Sequence, residues 1–285
     1  ALRKSLMAPK GYQLIIADQA QIEARLNAWF HNQHDVVEAF AKKQDVYKLA
    51  ASRIYGIPYD VVDKDQRFVG KVAVLALGYG AGSARFAEML RLGAFGPTVD
   101  ISDADAKVVV DAWRRANASI VGGWRKANNN LRMAFLNGTT VPDRVLEYQG
   151  HGTKGITLLP NGTYIRYDGV ELNDENELTY ISSFRRLMDG TVNYERQKLY
   201  GGLIVENNIQ ALGRAIIAEN ITSIEDAVPS AQLVMTTHDE VVFCVPTRYA
   251  NKALKAVVEV MTTPPKWADG LPLGVDAHIS DRYDK

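Results

Sequence analysis

The sequence predicts a mixed α/β fold in which segments near the two ends of the chain build one sheet and helices are inserted between them. Three observations lead there. Residues 12–17 (Tyr-Gln-Leu-Ile-Ile-Ala) are a short apolar run of the kind that forms a buried strand. Residues 233–245 are rich in β-branched and apolar side chains but are broken by His238-Asp239-Glu240, as in a hairpin whose tight end carries the polar residues. The intervening first half reads as mainly helical.

In chain order, Ile22, Leu26 and Trp29/Phe30 recur at helical spacing over residues 21–30, so Asp18 stands where a strand meets a helix. Taken alone, such an aspartate reads as a helix N-cap, and the His-Asp-Glu triplet as a polar hairpin tip. Residues 35–56 and 63–92 read as helical. Within the latter, Arg67, Lys71, Leu75 and Tyr79 follow at intervals of four, one slowly drifting stripe along a helix over 64–79. Glycines at 78, 80 and 82 close it as helix breakers would, or admit a closely approaching base pair. Ser102 opens a further helix to about residue 118, and 121–137 continues in the same vein. Composition then shifts: residues 138–187 are rich in Gly, Thr, Asn and Tyr, and 156–160 with 164–167 across Asn161-Gly162 suggests a hairpin.

The chain has 285 residues, 47% of them hydrophobic, enough for a sizeable core as one large domain or two smaller ones. Formal net charge is zero, so the basic excess of a freestanding nucleic-acid binder is missing; affinity for such a ligand would come from local patches or a partner. The one cysteine, Cys244, rules out an intramolecular disulfide and fits a reducing compartment. No signal peptide or apolar run long enough for a membrane span is evident, so a soluble, cytoplasmic chain without a membrane partner is expected.

Two separated aspartates at strand ends suit a pair of metal ions about 3.5–4 Å apart, the arrangement that serves phosphoryl transfer. Magnesium favours such a small carboxylate set completed by substrate phosphates and water. A stripe running from two cations through an apolar residue to an aromatic ring matches a nucleotide, from phosphate to base.

These motifs together, Ile-Ile-Ala-Asp18-Gln-Ala-Gln21-Ile-Glu23-Ala-Arg25, Arg67-x3-Lys71-x7-Tyr79-Gly80 and Thr-Thr-His238-Asp239-Glu240-Val-Val-Phe, resemble those of family A (polymerase I type) DNA polymerases. The segment Leu199-Tyr-Gly-Gly…Glu206-Asn207…Gln210-Ala…Arg214 resembles bacteriophage members most. The resemblance runs from residue 2 to the C-terminus. It implies a right-hand palm with an antiparallel sheet and mainly helical fingers: palm over 1–31, fingers with a β-hairpin insert over 32–198, and palm again over 199–285. The thumb and upstream exonuclease domain of the family are expected to be lacking, so the chain is expected to be a fragment or a split subunit, a separate chain being one source of the missing parts.

By the same likeness Asp18 and Asp239 hold two Mg²⁺ ions, with Mn²⁺ a substitute. The Gln19 carbonyl joins the metal shell, and Glu240 tunes it from behind. Arg67 and Lys71 bind the dNTP triphosphate, Lys71 also serving catalysis, Tyr79 stacks near the template base and the insertion site, and Gln21 and Tyr47 are further nucleotide contacts. Glu23 refuses a ribose 2′-hydroxyl, and Leu75 replaces the family's usual aromatic residue beside the sugar. Arg25, Gly80, Glu206, Gln210, Arg214 and His238 fall where relatives meet primer–template DNA, and amide side chains suit minor-groove acceptors. The expected activity is template-directed DNA synthesis, in phage replication and therefore in the host cytoplasm. Three rivals remain: a two-metal nuclease or transposase, which leaves the Arg67/Lys71/Tyr79 stripe unexplained; a single-subunit RNA polymerase, against which Glu23 discriminates; and a non-catalytic DNA-binding subunit that keeps the fold.

Overall fold

A computed structural model describes residues 5–186 and 191–284. Residues 2–4 of the segment that carries the resemblance, and residue 187 at the end of the compositional shift, lie outside them. The chain runs β1 (Tyr12–Gln19), α1 (Ile22–Phe30), α2 (His34–Ala41), α3 (Val46–Tyr55), α4 (Lys64–Leu77), α5 (Ser83–Arg91), α6 (Asp103–Ala116) and α7 (Ala118–Asn137). Seven strands follow: β2 (Thr140–Asp143), β3 (Leu146–His151), β4 (Lys154–Leu158), β5 (Tyr164–Tyr167), β6 (Glu171–Leu172), β7 (Leu178–Arg186) and β8 (Val192–Lys198). The chain closes with α8 (Gly201–Ala227), β9 (Gln232–Thr237), β10 (Glu240–Pro246), α9 (Ala250–Thr262) and β11 (Val275–Ser280).

Two compact units result: Ala1–Leu26 with Gln210–Lys285, and Asn27–Ile209. The first holds an antiparallel sheet of order β11-β1-β10-β9. Its strands alternate as a two-sided sheet must. Ile15, Ala17, Val241, Phe243 and Val245 pack on one face with Ile217 and Ile224 of α8 and Ala253, Val257 and Met261 of α9. Leu14, Ile16, Val242 and Cys244 face the other way, together with Tyr283. Cys244 is a buried free thiol. Each fully buried large apolar side chain here contributes about 1.5–3 kcal/mol. The strand ends that carry polar residues are thus anchored to a packed platform.

The second unit packs α3 to α7 around Val69, Val72, Leu77, Phe86, Leu90, Val110 and Trp113. Local chemistry sets its helix starts. Asp45 accepts from the N–H groups of Tyr47 and Lys48, Asp63 and Gln66 form a reciprocal capping box, and Ser102 Oγ accepts from the Asp105 N–H at 3.0 Å. The segment 35–56 is therefore two helices, the break falling where Lys43 turns left-handed (φ 56°) ahead of the Asp45 cap. Beyond α7 the unit holds two antiparallel sheets, β2-β3-β4-β5 and β6-β7-β8, where the sequence suggested one hairpin. That hairpin is β4-β5, with Leu158 opposite Tyr164.

Candidate active site

In the first unit, Asp18 is the penultimate residue of β1, not a helix N-cap. It stands directly opposite Glu240 of β10 and Asp276 of β11, so these three acidic side chains emerge on one face of the sheet. His238 and Asp239 form the two-residue turn joining β9 to β10. The turn is tied to β1 by the Gln19 N–H, which donates to the Asp239 carbonyl at 3.0 Å. His238 (φ 54°) and Gln21 (φ 53°) both take left-handed backbone, uncommon for residues other than glycine. Such conformations persist where the surroundings enforce them, and they concentrate at functional sites.

Gln19 is fully buried. Its Nε2 donates to the carbonyls of Met261 (2.8 Å) and Gly274 (2.9 Å), and its Oε1 accepts from Asn220 Nδ2 at 3.2 Å. The side chain is thereby spent on the fold, which leaves only backbone for any ligating role. Glu240 is 1% exposed and accepts from the Tyr283 hydroxyl at 2.5 Å. A cleft of about 370 Å³ brings Glu23, Gln210, Arg214, His238 and Asp239 together, with Gly213 and Ile217 from the same face of α8. Arg25 is engaged differently: its guanidinium donates to the carbonyls of Ala20 and Pro272, each at 2.7 Å, binding the β1–α1 turn to the segment before β11. Burial lowers its pKa, partly opposed by the charge of Asp276.

In the second unit, Arg67, Lys71 and Leu75 form a half-buried stripe on α4. The stripe does not reach Tyr79 as helix. Side-chain N–H groups of Asn27 (3.2 Å) and Trp124 (3.0 Å) take the Gly78 carbonyl, and Tyr79 lies in a turn that Gly80 closes at φ 87°. Helix α4 therefore ends at Leu77, two residues short of Tyr79. Gly78 itself is right-handed (φ −56°), so among these glycines the left-handed role falls to Gly80. Arg67 Nε donates to Asp45 Oδ2 at 2.5 Å and its guanidinium lies over the Tyr47 ring, 5.3 Å from the centroid. Lys71 Nζ donates to the Phe95 carbonyl at 3.1 Å. Glu206 is half-buried on α8, and its charge joins burial in raising the Tyr200 pKa.

Sequence reading missed Asp276, Tyr283, Asn220 and Asp45. The first three meet Asp18, Glu240 and Gln19 only through strand register and helix packing. Asp45 alone left a local trace, as an Asp directly before a helical run.

The donor types fit a hard divalent cation: the carboxylate of Asp18, on a face shared with Glu240 and Asp276, and that of Asp239 in the turn tied to the end of β1. Among the described residues no group of three or more His, Cys, Asp or Glu is arranged to hold a metal by itself, so substrate oxygens and water would complete the shell.

Residues 1–129 match the model of DNA polymerase family A. The whole chain is 29% identical to the DNA polymerase of Bacillus phage SP02, covering 43% of that protein, and 24% identical to DNA polymerase I of Helicobacter pylori strain J99, covering 26% of it. It thus spans less than half the length of these curated relatives. Its fold is shared with the POL domain of Pol1 from M. smegmatis, solved in complex with DNA primer–template and dNTP: TM-score 0.65, 20% identity, over 99% of this chain and 42% of that one. The chain is therefore similar to the family A DNA polymerases, in sequence over residues 1–129 and in fold.

Proposed function

We propose that this chain catalyses template-directed addition of deoxynucleotides to a primer 3′-hydroxyl. The observation that carries the reading is the strand-end pairing of Asp18 with Glu240, with Asp239 beside it in a turn held by the Gln19 N–H. Magnesium ions held by Asp18 and Asp239, when bound, supply charge neutralisation at the attacking and leaving oxygens. Arg67 and Lys71 bring positive charge to the triphosphate, and Tyr47 adds a phenolic donor without charge. Glu23 lines the cleft with His238 and Asp239, which suits refusal of a ribose 2′-hydroxyl, while Gln210 and Arg214 present an amide and a cation for duplex DNA. In domain terms the sheet unit acts as palm and the helical unit as fingers, closing over a paired base.

Similarity to a phage enzyme supports a role in phage DNA replication in the host cytoplasm. A thumb and exonuclease supplied by another part of the protein, or by another chain, would provide the duplex grip that a neutral surface lacks.

The test is primer extension with Mg²⁺, comparing deoxy- with ribonucleotides and the chain with its Asp18→Ala and Asp239→Ala forms at low and moderate salt. Deoxynucleotide addition that both variants lose is the expected result. Preferred ribonucleotide addition would turn the reading to an RNA polymerase. Primer–template binding that is metal-independent and never followed by extension would turn it to a non-catalytic DNA-binding subunit.

A further inference from the structure

The peptide joining Gln19 to Ala20 ends β1, and the segment ahead of β11 holds it in place. The Ala20 N–H donates to the Gly274 carbonyl at 2.9 Å. In a trans peptide the N–H and the preceding carbonyl point opposite ways, so this bond aims the Gln19 carbonyl away from Gly274. Gln19 Nε2 reaches the same Gly274 carbonyl, also at 2.9 Å.

Arg25 closes this arrangement. From one planar guanidinium, Nε donates to the Ala20 carbonyl and Nη1 to the Pro272 carbonyl, so a single side chain ties the turn after Asp18 to the segment ahead of β11. The guanidinium also lies against Gly274, where a Cβ would sit 2.8 Å from Nη2. Asp276, two residues further on, supplies a charge that favours the cation at this half-buried position. Gln21, next to Ala20, holds left-handed backbone (φ 53°), which persists only where the surroundings over-determine it. Bonds to two carbonyls from one rigid plane call for arginine. A lysine ammonium carries the same charge on a flexible stem and lacks the forked geometry.

We propose that Arg25 is a positioning residue for the divalent-cation site: by clamping Ala20 to Pro272 across Gly274, it fixes the directions of the Gln19 carbonyl and of the adjoining Asp18. The inference rests on the polymerase reading above in taking those two groups as metal ligands. It assigns Arg25 to the protein's own backbone rather than to primer–template DNA.

The test measures Mn²⁺ binding to the full chain by electron paramagnetic resonance. Asp18→Ala identifies the site by the Mn²⁺ binding that it removes. Groups that orient a metal ligand typically change affinity 10–100-fold when altered, so Arg25→Lys is expected to weaken that same binding about tenfold or more. Gly274→Ala is expected to do likewise, because its Cβ displaces the guanidinium while changing no charge and no ligand. This second variant folds: Gly274 is not among the left-handed glycines, and the atom displaced is the end of a flexible side chain. Unchanged Mn²⁺ affinity in either variant overturns the proposal and leaves the polymerase reading standing. Parent Mn²⁺ binding that survives Asp18→Ala overturns the metal assignment, and the role of Arg25 with it.

Metal-free primer–template binding, followed by fluorescence anisotropy over a KCl series, separates positioning from DNA contact. Arg25→Ala is expected to keep the parent's salt slope. A slope reduced by about 0.9, the loss of one phosphate contact on a duplex, would make Arg25 a DNA ligand and overturn the proposal.

Discussion

The Tyr283 hydroxyl donates to Glu240 Oε1 at 2.5 Å, and Glu240 stands directly opposite Asp18 across β10 and β1. One end of the chain therefore fixes a buried carboxylate beside the aspartate that the proposed mechanism needs most. Removing one partner of a buried bond costs more than the bond contributes, because the remaining group stays desolvated. Tyr283→Phe keeps the ring in its apolar setting and deletes only the donor. It should lower unfolding free energy by about 1–3 kcal/mol in urea titration. If Glu240 shapes the metal-holding end of the sheet, the same variant also raises the Mg²⁺ concentration needed for half-maximal extension. A loss of stability with an unshifted Mg²⁺ requirement would confine Tyr283 to the fold.

Arg67 and Asp45 are a second coupled pair, and their partial exposure (42% and 29% of the side chains) decides how much each matters to folding. A screened pair of this kind contributes at most about 1 kcal/mol, so Arg67→Ala should leave thermal stability nearly unchanged. On the proposed function its effect belongs on substrate: losing one charge-assisted contact to a triphosphate should raise the KM for dNTP roughly tenfold or more. Asp45→Ala has the opposite signature, because it deletes the α3 cap and should cost about 1 kcal/mol. Asp45→Asn keeps a capping oxygen and serves as the control. Steady-state kinetics beside melting curves separate the three.

The carboxylate motifs were legible because each sits at a sharp change of pattern: an apolar run ending at Asp18, and a β-branched run interrupted at Asp239. Asp276 and Tyr283 gave no such signal. They lie in the short C-terminal segment and reach Asp18 and Glu240 only through antiparallel register, which no local periodicity encodes. Tyr79 misled for the converse reason. Its spacing continues the α4 stripe, but side chains of Asn27 and Trp124, remote in sequence, take the Gly78 carbonyl and end the helix first. Strands β7 and β8 were hidden because much of their length is exposed, as in Ser-Phe-Arg-Arg and Asn-Tyr-Glu-Arg-Gln-Lys, and shows no apolar alternation. Backbone pairing from Thr179↔Lys198 to Arg186↔Val192 defines them instead.

The paired glycines of Leu199-Tyr-Gly-Gly are explained by contact. A Cβ on Gly202 would lie 2.1 Å from the Tyr79 carbonyl oxygen, and one on Gly201 would lie 1.9 Å from that of Trp124. Backbone cannot yield cheaply there. Gly202→Ala should cost about 1–3 kcal/mol and displace the turn bearing Tyr79. Gly122, within α7 with open space around it, predicts the reverse: Gly122→Ala should stabilise by about 0.5–1 kcal/mol. Parallel urea titrations of the two alanine variants test the pair, and equal effects would contradict the packing argument.

His31 makes stability depend on pH. It packs edge-on against Phe30 and so tightly against Gly123 that a Cβ there would lie 2.1 Å from its Nδ1, and its Nε2 has no partner among the described residues. Burial, then the charges of Lys126 and Arg144, push its pKa down from 6.5 to about 4. The unfolded chain therefore binds a proton between those values that the folded chain refuses, so stability rises with pH across that window. The contribution is complete above pH 6.5, falls as pH drops, and is exhausted below about pH 4. Its size is at most about 3 kcal/mol. Carboxylates titrate over the acid end of the same range, so the comparison that isolates the imidazole is His31→Gln. Urea midpoints at pH 7.5 and 5 should differ less in that variant than in the parent, and an equal difference in both would exclude His31 as the source.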